Sequence, residues 1–299
     1  MEIGFVGLGH MGQPMVKHLI SSEHNVTVFD INKEVMEVPI AMGAKAAYSP
    51  RDVMEASELV FTSLPTPEIV EEIALGEGGL MEASVKGKAY FDLSTTDPDT
   101  MKRIADIGAQ QGIAVFDSPV SGGTEGAENG SLCIMVGGDE RMFREYRSIL
   151  KLMGTQVIYC GALGSGAICK IVNNLIGMTT NLVLSEAFSL GVKAGMNPQM
   201  LYDVISESSG NSFTLHNFAN GLLKRDFTPG FQINLAEKDV GLAVDMGKTL
   251  GVPMIISSIA RQRFIEAQSK GWGKDAICGI ARLQEEAAGI LIEPTKDSS

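Results

Sequence analysis

The chain has few of the side chains from which metal centres and disulfide frameworks are built. It contains 4 cysteines and 4 histidines among 299 residues. No two cysteines have the C-x-x-C spacing, and no histidine stands at a ligand-like spacing from carboxylates. We therefore expect neither a structural nor a catalytic metal site.

Basic residues are also scarce, and no run of Lys or Arg occurs. The chain has 24 Lys and Arg against 36 Asp and Glu, which gives a net charge of −12 at pH 7. A nucleic-acid-binding domain carries a basic face that neutralises phosphates. We expect no nucleic-acid partner, and any site for an anionic substrate has to be built locally.

The cysteines stand in apolar runs, as is typical of small hydrophobic residues in a reducing compartment. They are Cys133, Cys160, Cys169 and Cys278. No basic segment of the kind found in secretion signals precedes the first apolar strand. The most apolar stretch, 167–194, contains Lys170, Asn174 and Asn181, whereas a membrane span needs about 20 largely apolar residues. We expect a cytoplasmic protein with no membrane partner.

Short apolar segments alternate with helical patterns in the first half of the chain. The predicted strands are 3–6, 26–29, 59–64, 89–93, 113–116, 132–136 and 156–159. Apolar strands separated by helices are typical of a parallel sheet that is covered on both faces. The pattern predicts an α/β fold of the Rossmann type, which is a doubly wound parallel sheet.

The second half has helical patterns only. A helix of about 28 residues, roughly 42 Å long, is predicted over 167–194, and shorter helices follow it. We predict a dinucleotide-binding domain at 1–164, a long interdomain helix at 165–195 and an all-helical domain for substrate binding and oligomerisation at 196–299. The long helix has more apolar surface than one subunit covers, so we expect a homodimer or homotetramer.

The segment Gly7-Leu8-Gly9-His10-Met11-Gly12 follows a predicted strand and opens a predicted helix. In a dinucleotide site Gly7 would permit the tight turn, Gly9 would let the backbone approach the pyrophosphate, and Gly12 would allow close packing of helix on strand. The helix N-terminus would offer unpaired N–H groups to the phosphates. The alternative is an ordinary tight turn.

Asp30 ends the second predicted strand, where a carboxylate would accept hydrogen bonds from the adenosine ribose. A carboxylate repels a 2′-phosphate, and Ile31-Asn32 supplies no arginine to hold one. Lys33 would compensate in part. The segment therefore favours NAD over NADP, and the alternative for Asp30 is a cap at the strand end.

The segment Ser121-Gly122-Gly123-Thr124 follows a strand and a proline. Glycines expose backbone N–H groups and a hydroxyl adds a donor, so the segment predicts a nest for a substrate carboxylate. A plain glycine turn is the competing interpretation.

Lys170 lies near the start of the long predicted helix, with Asn174 one turn later on the same face. Burial among apolar groups lowers the pKa of a lysine toward neutrality, where it can exchange a proton with an alcohol. A lysine that snorkels from the helix edge is the alternative.

Lys238-Asp239 is either a solvated helix face or a second cation that closes over cofactor or substrate.

Four ordered segments over nearly the whole chain resemble the β-hydroxyacid dehydrogenases, the family that includes 3-hydroxyisobutyrate dehydrogenase, tartronate semialdehyde reductase and 2-(hydroxymethyl)glutarate dehydrogenase. The matching segments are 4–12, 117–123, 164–174 and Lys238-Asp239.

The resemblance implies a role for each residue. Lys170 corresponds to the catalytic acid/base, Asn174 would hydrogen-bond the substrate, and Lys238 would face cofactor and substrate with Asp239 fixing it. The substrate carboxylate would lie on Ser121, Gly122 and Gly123. The cofactor would contact Gly7, Leu8, Gly9, His10, Met11, Gly12, Asp30, Leu64, Pro65, Thr95, Lys238 and Asp239.

We therefore predict an NAD-dependent oxidoreductase that moves a hydride between nicotinamide and a small 3-hydroxy acid without a metal. Oxidation of a sugar acid, as by 6-phosphogluconate dehydrogenase, is one alternative, although no basic cluster for a phosphate is found. A non-catalytic NAD-binding sensor is another, but such a protein should lack Lys170 or carry a further domain. Imine reductases usually replace this lysine. Asn234 stands where the family commonly has an acidic residue, which leaves the particular substrate open.

Overall fold

The computed structural model describes residues 1–22, 24–84, 86–228 and 230–294. The chain divides into two compact units, residues 1–170 and residues 171–299. The division lies inside one helix, Ser165–Lys193. It falls a few residues after position 164, where the sequence predicts the end of the first domain.

One sheet forms the centre of the first unit. Its strands are β1 (Glu2–Val6), β2 (Asn25–Phe29), β3 (Lys45–Ala46), β4 (Leu59–Thr62), β5 (Lys88–Asp92), β6 (Ile113–Asp117), β7 (Val120–Ser121), β8 (Cys133–Gly137) and β9 (Gln156–Gly161). Across the sheet they lie in the order β3-β2-β1-β4-β5-β6-β8-β7, with β9 beside β8. The predicted doubly wound α/β fold is confirmed.

The direction of β8 is a feature that the apolar pattern does not reveal. The pairs among β1 to β6 are parallel, but β8 runs antiparallel to both β6 and β7. A parallel connection needs a crossover of a dozen or more residues, usually a helix that packs on the sheet. The chain between β6 and β8 instead forms β7 and one short helix, and it returns in the opposite direction.

Helices connect the strands of the first unit. They are α1 (Gly12–Ser21), α2 (Glu37–Ala41), α3 (Pro50–Ala56), α4 (Pro67–Leu75), α5 (Pro98–Gln111), α6 (Gly123–Glu128) and α7 (Glu140–Leu150). Helix α8 (Ser165–Lys193) follows β9 and contains the division between the units. Ser49, Thr66 and Asp97 cap α3, α4 and α5 through their side chains. Each cap precedes a proline, which fits the first helical turn because its missing N–H would have no partner there.

Alternating side chains of the central strands fill two separate cores. Phe61, Phe91 and Phe116 lie in one core, and their neighbours Val60 and Tyr90 lie in the other. Successive residues of a strand point to opposite faces, so buried strands need apolar residues at every position. The rings of Phe91 and Phe116 stack with centroids 4.1 Å apart.

The regular elements in the described part of the second unit are helices, as predicted, apart from an isolated antiparallel bridge between Gln232 and Ala276. After α8 come α9 (Pro198–Ser206), α10 (Phe213–Leu222), α11 (Ile233–Leu250), α12 (Ile255–Ser269) and α13 (Ala281–Ala288). A 3₁₀ turn, Ile277–Ile280, precedes α13. Backbone N–H groups of Ala276 and Ile277 donate to Phe227 and Phe231 instead of to a helix.

Helix α8 is the one helix of the described chain that is long and apolar enough to cross a membrane by length and composition, and 28% of its most apolar window is buried. Its polar residues Asn181, Ser185 and Ser189 are buried, whereas Val183 and Leu190 are 60% and 74% exposed. The buried side of the helix thus contains polar groups beside apolar ones such as Phe188, and part of its apolar surface is exposed.

Candidate active site

The turn between β1 and α1 has the geometry of a phosphate cradle. Gly7 has φ +92°, and a Cβ there would overlap the Ser63 carbonyl. A Cβ on Gly12 would overlap the Gly7 carbonyl, whereas a Cβ on Gly9 would meet no atom within 4 Å. Gly7 and Gly12 are thus required by the turn itself, while Gly9 borders open space that a ligand can approach.

Helix α1 begins without a side-chain cap. Met11 occupies the capping position and makes no side-chain hydrogen bond, unlike Ser49, Thr66 and Asp97 at later helices. The first N–H groups of a helix are orphaned, and an anion satisfies them where no side chain does. Gly9 and His10 are exposed and Met11 is half-buried. These residues fit a pyrophosphate, as the sequence predicts.

Asp30 has a second role that the motif does not reveal. Its Oδ2 accepts a hydrogen bond from the Leu8 N–H at 2.7 Å, and its Oδ1 accepts one from the Asn32 N–H at 2.8 Å. The carboxylate therefore fixes the glycine turn to the end of β2. Each carboxylate oxygen has two lone-pair sites, so Asp30 retains acceptors for ribose hydroxyls.

The predicted cofactor residues of the following loops lie along the same edge of the sheet. Backbone hydrogen bonds link consecutive strand ends: Gly7 N–H to Phe29 O, Ser63 N–H to Val6 O, Leu93 N–H to Thr62 O and Ser118 N–H to Asp92 O. The Leu64 N–H donates to Ser94 Oγ at 2.8 Å, which joins the loops after β4 and β5. Pro65 is exposed and Thr95 is half-buried. Ligands of open α/β sheets bind at this carboxyl edge.

The predicted carboxylate nest combines a short strand with two unusual glycines. Ser121 pairs with Cys133 across β7 and β8. Gly122 and Gly123 follow with φ +134° and +66°, conformations that side chains other than glycine rarely adopt. A Cβ on Gly123 would meet no atom within 4 Å. The backbone is therefore exposed in a turn shape that can collect N–H groups around an anion.

Lys170 is buried, with 8% of its surface exposed. Burial raises the pKa of the Cys133 thiol, and the positive charge of Lys170 opposes that rise. Since Cys133 of β8 is the register partner of Ser121 of β7, the lysine charge acts at the strand that pairs with the one leading into the predicted carboxylate nest. The structure brings these two predicted features of the first unit together.

The helical unit groups the remaining predicted residues. Asn174 Nδ2 donates to Asp239 Oδ2 at 2.5 Å, and Lys238 Nζ lies 3.0 Å from Asp239 Oδ1. Asn174 and Asp239 are 4% and 2% exposed. Asp239 therefore holds the Asn174 amide and the Lys238 ammonium group in position. Asn234 accepts a hydrogen bond from Gln268 and lies against Gly273, which engages its amide in local structure.

Two buried aspartates at strand ends were assigned no role from the sequence. Asp92 ends β5 and Asp117 ends β6, and both are 1% exposed. Burial raises the pKa of Asp92, although hydrogen bonds from Ser94, Thr62 and Thr96 act to lower it. Burial also raises the pKa of Asp117 to about 6, against hydrogen bonds from the Gly164 and Ala167 N–H groups. A carboxylate directly after a buried apolar strand is the signal that could have found them.

The described residues contain no group of three or more His, Cys, Asp and Glu side chains that could hold a metal ion. The Ser121 hydroxyl, the Lys170 amine and the backbone N–H groups of the first unit are of the kinds that suit an acid substrate and a proton transfer.

Family comparisons agree with this geometry. Residues 2–161 match the NAD-binding domain of 6-phosphogluconate dehydrogenase, and residues 164–283 match the NAD-binding domain of NADP-dependent 3-hydroxyisobutyrate dehydrogenase. The second match covers the helical part, from α8 onward.

Individual relatives extend over nearly the full length. The chain is 36% identical over 293 residues to 2-(hydroxymethyl)glutarate dehydrogenase of Eubacterium barkeri, covering 98% of this chain and 97% of that one. It is 35% identical over 271 residues to 2-hydroxy-3-oxopropionate reductase of Escherichia coli, covering 91% and 92%. The structure of Mycobacterium tuberculosis 3-hydroxyisobutyrate dehydrogenase with L-serine has a TM-score of 0.86 and 30% identity, covering 95% and 98%.

Coverage and identity of this extent define the class: an NAD(P)-dependent dehydrogenase with a Rossmann domain. The chain belongs to the β-hydroxyacid dehydrogenase family, whose members act on the CH–OH group of 3-hydroxy acids. The nicotinamide cofactor predicted from the glycine turn is confirmed at this level.

Proposed function

We propose that the protein reversibly oxidises a small 3-hydroxy acid with NAD, and that Lys170 is the general acid/base. The observation that carries the proposal is the burial of Lys170, 8% exposed, near the start of α8. An amine placed at an acid-binding turn can exchange the proton of a hydroxyl on the bound acid.

The substrate carboxylate would be bound by the Ser121 hydroxyl and by the backbone N–H groups of Gly122 and Gly123. The three similar proteins bind or act on 2-(hydroxymethyl)glutarate, 2-hydroxy-3-oxopropionate and L-serine by their names and titles. These compounds share a carboxylate and an oxygen on the β-carbon. A site that fixes the carboxylate would place that β-carbon at a constant position whatever the rest of the molecule.

Proton transfer would be the work of this chain's own residues. Lys170 would accept the hydroxyl proton on oxidation and return it on reduction, and the Asn174 amide would hydrogen-bond the substrate. Lys238, fixed by Asp239 at 3.0 Å, would supply a positive charge near cofactor and substrate and would steady the oxygen as its charge develops. Bound nicotinamide supplies the hydride acceptor or donor.

NAD is the proposed cofactor in preference to NADP. The Asp30 carboxylate lies at the end of β2 and is held there by the Leu8 and Asn32 N–H groups. A negative charge so fixed would repel a 2′-phosphate, and Ile31 beside it is 93% exposed and offers no charge. The family also contains an NADP-dependent member, so the preference is a property to be measured.

The first experiment is a spectrophotometric assay at 340 nm with NAD and a panel of 3-hydroxy acids. The panel contains 3-hydroxyisobutyrate, L-serine, 2-(hydroxymethyl)glutarate, glycerate and 3-hydroxypropionate. Lys170→Ala should lower kcat by about 10²–10⁴-fold, the scale of a general acid–base group, while NAD still binds. Lys102→Ala, which removes an exposed lysine of α5, should keep full activity.

Two outcomes would contradict this proposal. Full activity of Lys170→Ala would remove the lysine from the mechanism. Silence of the wild type across the panel, with NAD bound, would favour a sensor or a substrate of another class, and phosphorylated sugar acids would be tested next.

We also propose a cytoplasmic homodimer or homotetramer that interacts with no membrane or nucleic acid. Ile176, Val183 and Leu190 form an exposed stripe along α8, and Ile256 and Ile259 expose 72% and 61% on α12. Apolar area of this kind is typical of subunit interfaces. Light scattering should give a multimer whose mass falls for Val183→Glu and not for Ile107→Glu, a matched change on α5. A monomeric wild type would overturn the oligomer.

A further inference from the structure

Two buried carboxylates lie side by side at the carboxyl edge of the sheet, where the predicted cofactor loops begin. Asp92 and Asp117 are register partners at the carboxyl ends of the parallel strands β5 and β6, and each is 1% exposed. Burying a carboxylate is costly unless hydrogen-bond donors surround it. Both have such donors, but the donors belong to different segments of the chain.

Asp92 organises the loops that follow β4 and β5. Its Oδ1 accepts from Thr62 Oγ1 at 2.7 Å and from Ser94 Oγ at 2.6 Å, and its Oδ2 accepts from Thr96 Oγ1 at 2.9 Å. Because the Ser94 hydroxyl donates its hydrogen bond to Asp92, its oxygen is oriented to accept a hydrogen bond from the Leu64 N–H at 2.8 Å. One carboxylate thus joins both loops that contain predicted cofactor residues.

Asp117 organises the start of α8. Its Oδ1 accepts from the Gly164 N–H and its Oδ2 from the Ala167 N–H, both at 2.6 Å. A Cβ on Gly137 or on Gly166 would approach these carboxylate oxygens to less than 3 Å, so two glycines leave the space that Asp117 fills. Ala167 precedes Lys170 by about one helical turn.

We propose that Asp92 and Asp117 are positioning residues with separate tasks: Asp117 sets the place of Lys170 through the first turn of α8, and Asp92 sets the cofactor loops through Ser94. Neither carboxylate needs to touch substrate or cofactor. The inference rests on the proposed roles of Lys170 and of the loops at Leu64 and Thr95.

The separation follows from the short range of hydrogen bonds. In Asp117→Asn the shape is kept, but an NH₂ group then faces either the Gly164 or the Ala167 N–H, and two donors cannot bond each other. The turn before α8 would move while Ser94 and Leu64 keep their contacts. In Asp92→Ala the Ser94 hydroxyl loses its acceptor and its fixed orientation, while the contacts of Asp117 remain.

The test measures three quantities for Asp117→Asn, Asp92→Ala and the exposed control Asp106→Asn. These are kcat at saturating NAD, Kd for NAD by calorimetry, and the rate at which Lys170 of the cofactor-free protein is labelled by an amine reagent, read by peptide mass spectrometry. Asp117→Asn should lower kcat by about 10–100-fold, the cost of a misplaced catalytic group. It should also change the rate of Lys170 labelling at least about threefold. This change is smaller than that in kcat because labelling requires only access to the amine and no aligned transition state. The Kd for NAD should stay within about twofold, since the cofactor loops keep their hydrogen bonds.

Asp92→Ala should show the opposite pattern. The Kd for NAD should rise about tenfold, the scale of one lost hydrogen bond, while Lys170 labelling equals that of the control. If Asp92→Ala does not fold, Ser94→Ala takes its place: it removes the hydroxyl that bonds both Asp92 and the Leu64 N–H, and it leaves the hydrogen bonds from Thr62 and Thr96 to Asp92 in place. The same loss in all three quantities for both variants would overturn the division of tasks. The labelling rate and the Kd do not depend on turnover, so failure of the proposed catalytic role of Lys170 would be recognised separately.

Discussion

The two units of the chain solve different problems with different contacts. The first unit packs apolar residues on both faces of a sheet and concentrates its polar groups at one edge, where short hydrogen bonds to Asp30, Asp92 and Asp117 fix the backbone. The helical unit uses long charged side chains. Arg225 bonds Glu285, which is 4% exposed, and Arg282 lies over both Phe227 and Trp272.

The difference shows where precision comes from. Parallel strands end at one edge, so a carboxylate there reaches neighbouring loops through one or two bonds and holds them with little freedom. Helices present side chains rather than backbone to one another, so the helical unit relies on rings and ion pairs, and it leaves apolar faces uncovered. The stability of the first unit should therefore be sensitive to a single added atom, and the stability of the second unit to the loss of a charge.

The largest effect is expected from a glycine at the phosphate turn. In Gly12→Val the added Cβ would overlap the Gly7 carbonyl, which cannot move without breaking the turn. We expect the free energy of unfolding to fall by about 3 kcal/mol or more, with no detectable NAD binding by calorimetry. Gly9→Ala is the matched variant, because its Cβ meets open space: stability should stay unchanged while NAD affinity falls. Equal stability of the two variants would contradict the turn geometry.

Acid titration should report Asp117. Burial raises its pKa from 3.8 to about 6, so the folded state holds the proton more tightly than the unfolded state. The contribution of Asp117 to the free energy of unfolding should thus be greatest below about pH 4 and should be lost as the pH rises through 6, at no more than about 1.4 kcal/mol per pH unit. Urea unfolding from pH 4 to 7 should show this decline in the wild type and a shallower one in Asp117→Asn, where Asp92, whose pKa burial also raises, remains. Parallel curves for the two proteins would exclude Asp117 as its source.

The helical unit should depend on Glu285. Its Oε1 accepts from Arg225 at 2.5 Å and from the Ile292 N–H at 2.7 Å. Glu285→Gln removes the charge beside the guanidinium, which is itself 26% exposed, so solvent screening limits the loss to about 1–2 kcal/mol. Urea unfolding measures it. NAD affinity should not change, and a weaker NAD complex would mean that the two units do not respond separately.

The smallest effect is expected on cofactor choice. Asp30→Ala removes the acceptor of the Leu8 and Asn32 N–H groups and the charge that disfavours a 2′-phosphate. The ratio of NADP to NAD dissociation constants should fall about tenfold. Binding titrations with both cofactors give the ratio directly, and Glu34→Ala, an exposed neighbour, serves as control. An unchanged ratio would assign the preference to another residue.

Local patterns predicted most of the first unit because burial on both faces forces continuous apolar strands. Segments such as 59–62 and 89–92 are apolar at nearly every position, and the glycines after β1 occur where a tight turn requires them. The short strand Val120–Ser121 and the antiparallel direction of β8 escaped prediction, because two residues carry no period and strand direction depends on partners far along the chain.

In the candidate site, too, features that depend on local sequence could be predicted and contacts between distant segments could not. Lys170, Asp30 and the glycine segments stand out by residue type and spacing. The roles of Asp92 and Asp117 do not, because a lone aspartate at the end of a strand is usually interpreted as a cap. The donors to Asp117, at Gly164 and Ala167, are about 50 residues away in sequence, and Thr62, one of the donors to Asp92, is 30 residues away.

The sequence by itself determined a parallel α/β unit, a helical remainder and the chemical groups of a nicotinamide-dependent dehydrogenase, because apolar period and residue chemistry are local properties. Only the tertiary structure decided how these groups are held. It placed the Lys170 charge near the partner of Ser121, bonded Asp30 to the glycine turn, joined Asn174 to Asp239 and set two carboxylates side by side at the sheet edge. These contacts join segments that are distant in the chain. Because a hydrogen bond requires its two heavy atoms to lie about 3 Å apart, only folding can bring such segments close enough to form one.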